Sequence, residues 1–244
     1  MSGIREAFRK VRVLAQQAVG IEPRIHERLR PRLEFHGNSE GGWSIVERSL
    51  NPDSVVVDIG LGEDMSFSES IISQYGCFVH GFDPTPRAVQ YVNRLANDHV
   101  RLFPVGVGTA AGRVPFYLPN NQSHVSGSLT PEGHLGQRKI EVDVVTLGEI
   151  WNLLDVRRID LLKLDIEGTE YELIDSPDFH RRAGTIGQLC VEFHHRWKRR
   201  GKEATERAVG VLEELGFACA WYSRSTNQEF LFIGQAFTPR QPPA

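Results

Sequence analysis

With 244 residues, 40% of them hydrophobic, the chain can bury one sizeable core and carry a small accessory element. A formal net charge of −3 and a pI near 6.3 exclude a global basic field of the kind that drives non-specific nucleic-acid binding, so any anion binding has to be local. No apolar run approaches the ~18 residues of a membrane span, no secretory h-region opens the chain, and Cys77, Cys190 and Cys219 lie singly in apolar stretches; the expectation is a cytoplasmic protein with reduced core thiols and no transmembrane segment.

Residues 1–37 are rich in Arg and Lys, with Ile4, Phe8, Val11 and Leu14 at helical spacing and Pro23 opening a second amphipathic stretch through Ile25 and Leu29. The expectation is a helical cap or lid over residues 1–50, with membrane contact as a minor option, and a break at "HGNSEGGW", 36–43. From residue 55 short β-branched runs alternate with helical patterns, which predicts parallel strands joined by crossover helices, an α/β main domain over 51–237. Strands are expected at 54–60, 77–83 and 100–107, then a hairpin-like piece "RVPFYLP" and "KIEVDVV". A capping box, Thr146 with Glu149, starts the helix of Leu147, Ile150 and Leu153. "IDLLKLD" and "TIGQLCVEFHH" give two more strands, 202–215 a helix, and "FACAWYS" with "EFLFIG" an antiparallel hairpin that makes one sheet edge mixed. Residues 238–244 read as an unfolded tail.

In open α/β sheets ligands sit beyond the carboxyl ends of the strands. The first strand ends in "DIGLGEDM": Asp58, then Gly60 and Gly62, which allow a tight turn and close approach of a ligand. A pyrophosphate fingerprint would put a third glycine where Met65 stands, so a dinucleotide is disfavoured. An acid at this point suits a ligand ammonium, and Asp83, ending the second strand, suits the two hydroxyls of a ribose. An amino-acid group joined to a ribose describes S-adenosylmethionine, and Gly106 and Val107 at the third strand's end are counted on the same cofactor side.

"LLKLDIEGTE", 161–170, then delivers Lys163, Asp165, Glu167 and Glu170 at the end of an apolar run. Thr169 with Glu172 reads as a second capping box, and Glu170 as a first-turn acid favoured by the helix dipole. Asp165 and Glu167 are left at the crevice, with a Lys163 to carboxylate pair as the purely structural alternative. The neighbouring strand ends with Glu192 and His194 on one face, a candidate general base. Asp165, Glu192 and His194 could equally hold a hard divalent metal ion, and the residues leave base and metal both open.

The segments "VVVDIGLG", "GFDPTP", "GSL" (127–129), "VVTLGEI", "DLLKLDIEGTEYELI" and "VEFHH" together resemble the FkbM family of methyltransferases, over roughly residues 40–235. The resemblance implies a Rossmann-like class I methyltransferase sheet, S-adenosylmethionine as cofactor, and O-methylation of a sugar or polyketide hydroxyl. "GLGEDMSF", Asp83 and "TLGEI" depart from the usual family pattern, which bears on the acceptor more than on the cofactor.

The twenty residues "PNNQSHVSGSLTPEGHLGQR" read as a binding loop or a disordered insertion. Arg196, Lys198, Arg199 and Arg200 could steer an acidic acceptor or simply lead into a helix. The expected partner is a small hydroxylated metabolite or glycan. The rival classes are an N-methyltransferase or nucleic-acid methyltransferase, for which no Asn/Asp-Pro-Pro-Tyr motif or basic charge is present, and a nicotinamide-dependent oxidoreductase, disfavoured by Met65.

Overall fold

The computed structural model describes residues 2–39, 41–120, 126–131, 135–197 and 199–237. In chain order it contains α1 (Ser2–Ala18), a hairpin of β1 (Leu33–His36) and β2 (Trp43–Val46), β3 (Val56–Ile59), α2 (Ser66–Tyr75), β4 (Val79–Phe82), α3 (Pro86–Leu95) and β5 (Val100–Phe103). The strands β6 (Gly106–Gly108), β7 (Gly112–Pro119) and β8 (Leu135–Thr146) and the helix α4 (Leu147–Leu154) follow. The rest is β9 (Ile159–Leu164), α5 (Glu170–Asp175), α6 (Pro177–Arg182), β10 (Ile186–Glu192), α7 (Gly201–Glu214), β11 (Ala218–Tyr222) and β12 (Glu229–Ile233).

The main sheet runs β11-β12-β10-β9-β3-β4-β5, parallel from β10 to β5 and antiparallel at β12 and β11. It is the mostly parallel α/β sheet with an antiparallel C-terminal edge that the strand pattern predicts. The chain winds outward from β3 to β4 and β5, then returns to β9 on the other side, so the switch point lies between β3 and β9. A crevice opens there at the strands' carboxyl ends.

Each central strand is apolar on both faces, as burial between two helical layers requires. Val57, Leu162, Leu189 and Phe232 pack with α4 to α7, whereas Val56, Leu161, Cys190 and Leu231 pack with Trp43, Ile45, Phe67 and Ile71. All three cysteines are buried thiols.

Two expected features differ. Helix α1 ends at Ala18, and the second amphipathic stretch forms no helix: residues 23–29 are irregular, with Glu22 and Ile25 turned into the body and Arg28 N donating to the Cys219 carbonyl (2.7 Å). Residues 33–46 are the β1–β2 hairpin, pinned to β10 where the Gln188 side chain accepts from Val46 N (2.8 Å) and donates to Ser49 Oγ (2.8 Å). The strand expected over 100–107 is split at Pro104: β5 stays in the main sheet and β6 joins β8 in a separate three-stranded sheet with β7. Among the described residues no helix is long and apolar enough to cross a membrane.

Candidate active site

A cleft of about 420 Å³ lies over the switch point. Its cofactor side is the turn after β3. Gly60 (φ +88°) and Gly62 (φ +62°) both adopt left-handed backbone, and a Cβ on Gly60 would sit 1.7 Å from the Asp165 carbonyl oxygen, so only glycine lets β3 and β9 meet here. Asp83 is buried beside this turn and accepts from Gly62 N (2.9 Å) and Thr85 N (2.7 Å); burial pushes its carboxyl up against those bonds. Thr85 spends no side-chain bond on capping α3. Gly106 and Val107, on β6, line the same cleft with Phe82 and Phe116.

Asp58 and Lys163 stand opposite each other in the β3–β9 register, and the ammonium donates to Asp58 Oδ1 at 3.0 Å and to the Gly60 carbonyl at 3.1 Å. Asp58 Oδ2 accepts from the Ser68 hydroxyl at 2.7 Å. The carboxylate read in the sequence as meeting a ligand's ammonium therefore meets that of Lys163. Burial alone would depress the Lys163 ammonium, yet Asp58 and Asp165 together hold it above the ordinary lysine range. Asp165 Oδ2 lies 3.5 Å from the same ammonium.

The catalytic side is built by the β9–α5 turn and the end of β10. Glu167 (φ +52°) and Gly168 (φ +91°) are successive left-handed residues, a strained corner in the case of Glu167. Three bonds hold it: the Ser128 hydroxyl donates to the Glu167 carbonyl (2.6 Å), Gly168 N donates to Glu170 Oε2 (2.9 Å), and His194 Nε2 lies 3.2 Å from Glu167 Oε2. Glu170, 0% exposed, also accepts from His194 N (3.2 Å) and Nδ1 (2.8 Å). Both imidazole nitrogens thus face carboxylates. Burial opposes the charged ring, but Glu170 and Glu167 outweigh it and raise His194 well above the usual histidine range.

Asp165 and Glu192 each leave 26% of their side chain to the cleft. Burial raises Asp165 while Lys163 and His194 pull it back. Burial and the neighbouring Asp165 charge raise Glu192 further, well above an ordinary glutamate. Ligand atoms of Asp165, Glu192 and His194 lie within 4.8 Å of one another, so these three could hold a metal.

The structure thus brings Asp165, Glu167, Glu192 and His194 together opposite Asp58, Gly60, Gly62, Asp83, Gly106 and Val107. It corrects the reading of α5. Thr169 makes no capping bond, its hydroxyl lacks a partner, and its backbone is helical, so the second capping box does not form. Glu170 is the buried bracket of turn and histidine rather than a first-turn acid serving the helix dipole, and its signal in the sequence is its place as the last acid of K-x-D-x-E-G-x-E. Ser128 stands in the "GSL" segment, whose sequence alone gives it no contact. Around it, Gly127 and Leu129 line the cleft, while residues 121–125 and 132–134 of the expected binding loop lie outside the described residues. Two members of the basic run are architectural: Arg200 pairs with Glu172 (2.6 and 3.1 Å) and Arg196 with Glu22 (2.8 Å); Arg199 is exposed, and Lys198 lies outside the described residues.

Residues 55–219 match the Methyltransferase FkbM domain. Among curated proteins, the human "Probable methyltransferase-like protein 24" is 23% identical over 155 residues, 64% of this chain and 36% of that protein. The Sinorhizobium fredii "2-O-methyltransferase NoeI" is 27% identical over 145 residues, 53% of this chain and 60% of that protein. The chain therefore spans between about a third and three fifths of the length of these relatives. Of solved structures, the Aeropyrum pernix fibrillarin with natively bound S-adenosyl-L-methionine aligns over 78% of this chain and 70% of its own, at 11% identity and TM-score 0.44. With the domain match covering well over half its length, the chain belongs to the FkbM methyltransferase family.

Proposed function

We propose that this protein is an S-adenosylmethionine-dependent methyltransferase that acts on an acceptor hydroxyl. One observation carries the reading: two carboxyl groups with raised proton affinity, Asp165 and Glu192, face the same cleft as the glycine turn and Asp83. The cofactor supplies an electrophilic methyl group on a sulfonium. The residues suit that group on three counts. Asp83 keeps oxygen lone pairs beyond its two backbone bonds for a ribose, Phe82 and Phe116 offer an apolar wall, and the cleft's carboxylates favour a cationic ligand.

An alcohol attacks poorly until its proton leaves. Glu192, or Asp165 beside it, accepts that proton as the new O–CH3 bond forms, and burial makes both carboxylates stronger bases than exposed acids would be. His194 holds the carboxylates of Glu167 and Glu170 in place as a charged ring and leaves proton abstraction to the acids. Lys163 orients Asp165 from behind. The 2-O-methyltransferase among the relatives supports oxygen as the target.

The test is a panel of hydroxylated, amino and nucleic-acid acceptors with methyl-labelled cofactor. Label on a hydroxyl acceptor, lost in Glu192→Gln together with Asp165→Asn, supports the reading; absence of cofactor binding in calorimetry overturns it. A second reading, in which a divalent cation is held by Asp165, Glu192 and His194, rests on their 4.8 Å cluster and requires His194 to release Glu167. Turnover abolished by a chelator and restored by magnesium would favour it.

A further inference from the structure

We propose that α1 is a membrane-surface helix, its exposed apolar face docking on the headgroup region of an anionic bilayer. The helix packs against the body by the wrong side for a core element. Val13 is 1% exposed, and Gln17 donates to the Pro23 carbonyl (3.2 Å) and to Asn227 Oδ1 (3.3 Å). On a 3.6-residue wheel Phe8, Val11, Leu14 and Ala15 occupy the other side. There Phe8 is 73%, Val11 64% and Leu14 60% exposed, and Val19 and Ile21 in the following turn are exposed as well. An amphipathic helix that shows its apolar stripe to water has a further surface to cover it.

Charge identifies that surface. Arg5, Arg9 and Arg12 form an exposed row beside the stripe, with no ion-pair partner among the described residues, whereas Lys10 is tied to Glu6 at 2.6 Å. Residues 1–32 hold eight Arg and Lys against three Glu, a net of +5, so the rest of the chain carries −8 to give the overall −3. An anionic surface would attract α1 and repel the body, which orients the molecule on its helix. A symmetric pairing of two copies through this stripe would set like-charged arginine rows against each other, which disfavours a second chain as occupant. The helix is held at a definite place: Arg24 donates to the last carbonyls, Gln17 (2.6 Å) and Ala18 (2.7 Å), and Asn227 precedes β12, whose Glu229 lines the cleft. The C-terminal end of α1 therefore stands at the mouth end of the sheet. This inference is independent of the methyl-transfer reading.

The test uses the full chain with sedimented vesicles of phosphatidylcholine, with or without phosphatidylserine. Partitioning is expected to rise at least ~10-fold with phosphatidylserine and to fall as salt screens it. The double variant Phe8→Ser, Leu14→Ser should lose at least ~10-fold of that binding, because it removes buried apolar area only in the docked state. Its thermal unfolding should match the parent, since both side chains are exposed. Arg5→Ala with Arg9→Ala and Arg12→Ala should abolish the preference for phosphatidylserine. The proposal is overturned if the parent ignores both vesicle types, if the serine variant binds like the parent, or if Phe8→Ser instead dissolves a dimer seen in sedimentation equilibrium.

Discussion

The end of β10 separates two buried ion clusters that use similar groups to opposite ends. On the cleft side, five carboxyl groups, those of Asp58, Asp165, Glu167, Glu170 and Glu192, share two cations, Lys163 and His194. On the flank, Glu22 alone meets His195 Nε2 (2.6 Å), Arg196 Nε (2.8 Å) and Asn227 Nδ2 (3.2 Å). Burial would raise the Glu22 carboxyl, yet His195 and Arg196 hold it at about 2. One residue step, from His194 to His195, crosses from a cluster with excess acid to one whose single carboxylate is fully partnered, although His195 Nδ1 itself has no hydrogen-bond partner. A satisfied cluster fastens architecture, here the N-terminal segment to the β10 end; an excess of buried acid costs stability and marks a place where a cation or a proton is handled.

The sharpest way to break this contrast is to neutralise each side. Glu192→Gln and Asp165→Asn should each cost at least ~100-fold in kcat in the labelled-methyl assay. Glu192→Gln should leave the melting temperature unchanged or higher, since it relieves like-charge repulsion. A sharp loss of stability without loss of activity would reverse the assignment. Next in size, Glu22→Gln should lower stability in urea titration by about 2 kcal/mol, below the usual range for breaking a buried pair because Arg196 keeps a third of its side chain in solvent. Its kcat should stay close to the parent's.

The fold was legible where strand and helix periods repeat, and the site where charged residues stand past those strands. Asp165, Glu192 and His194 could be placed in one crevice because a parallel strand aims its last residues the same way as its neighbour's. The β1–β2 hairpin was hidden: two four-residue strands around a glycine-rich turn carry little period, and Trp43 and Ile45 are strand-like only because they seal a sheet face. Glu170 was hidden for another reason. A local account of it sufficed, and its actual partner, His194, lies 24 residues on. Asp58 and Lys163 needed the β3–β9 register, which no single strand reveals.

pH offers a smaller and finer separation. Glu22 is depressed in the folded state, so its contribution is full above the ordinary glutamate value of 4.5 and is lost as pH falls through about 2. His194 is raised, so its contribution is full below 6.5 and is lost as pH climbs through its folded value. Unfolding followed against pH should therefore lose the flank in strong acid and the cleft bracket on the alkaline side, with Glu170→Gln bringing the alkaline loss to lower pH. Methyl transfer should rise with pH as the Asp165–Glu192 pair ionises. Glu192→Gln should move what activity remains to a lower pH limb, because it removes the carboxyl that is raised further and leaves Asp165, which Lys163 and His194 pull down, as the base. Smallest of all, Ser128→Ala removes one bond to the Glu167 carbonyl and should cost about 1 kcal/mol, read as a few-fold change in kcat/KM.

Gly60 joins the two halves of the cleft mechanically. Its backbone rests directly on the Asp165 carbonyl, with no side chain between to act as a cushion. The glycine turn and the acid strand are consequently in direct backbone contact, and a side chain added at Gly60 would have to push the Asp165 backbone aside. No residue larger than glycine could preserve that contact, so the spacing between the cofactor-side turn and the acid strand is fixed by the absence of one side chain.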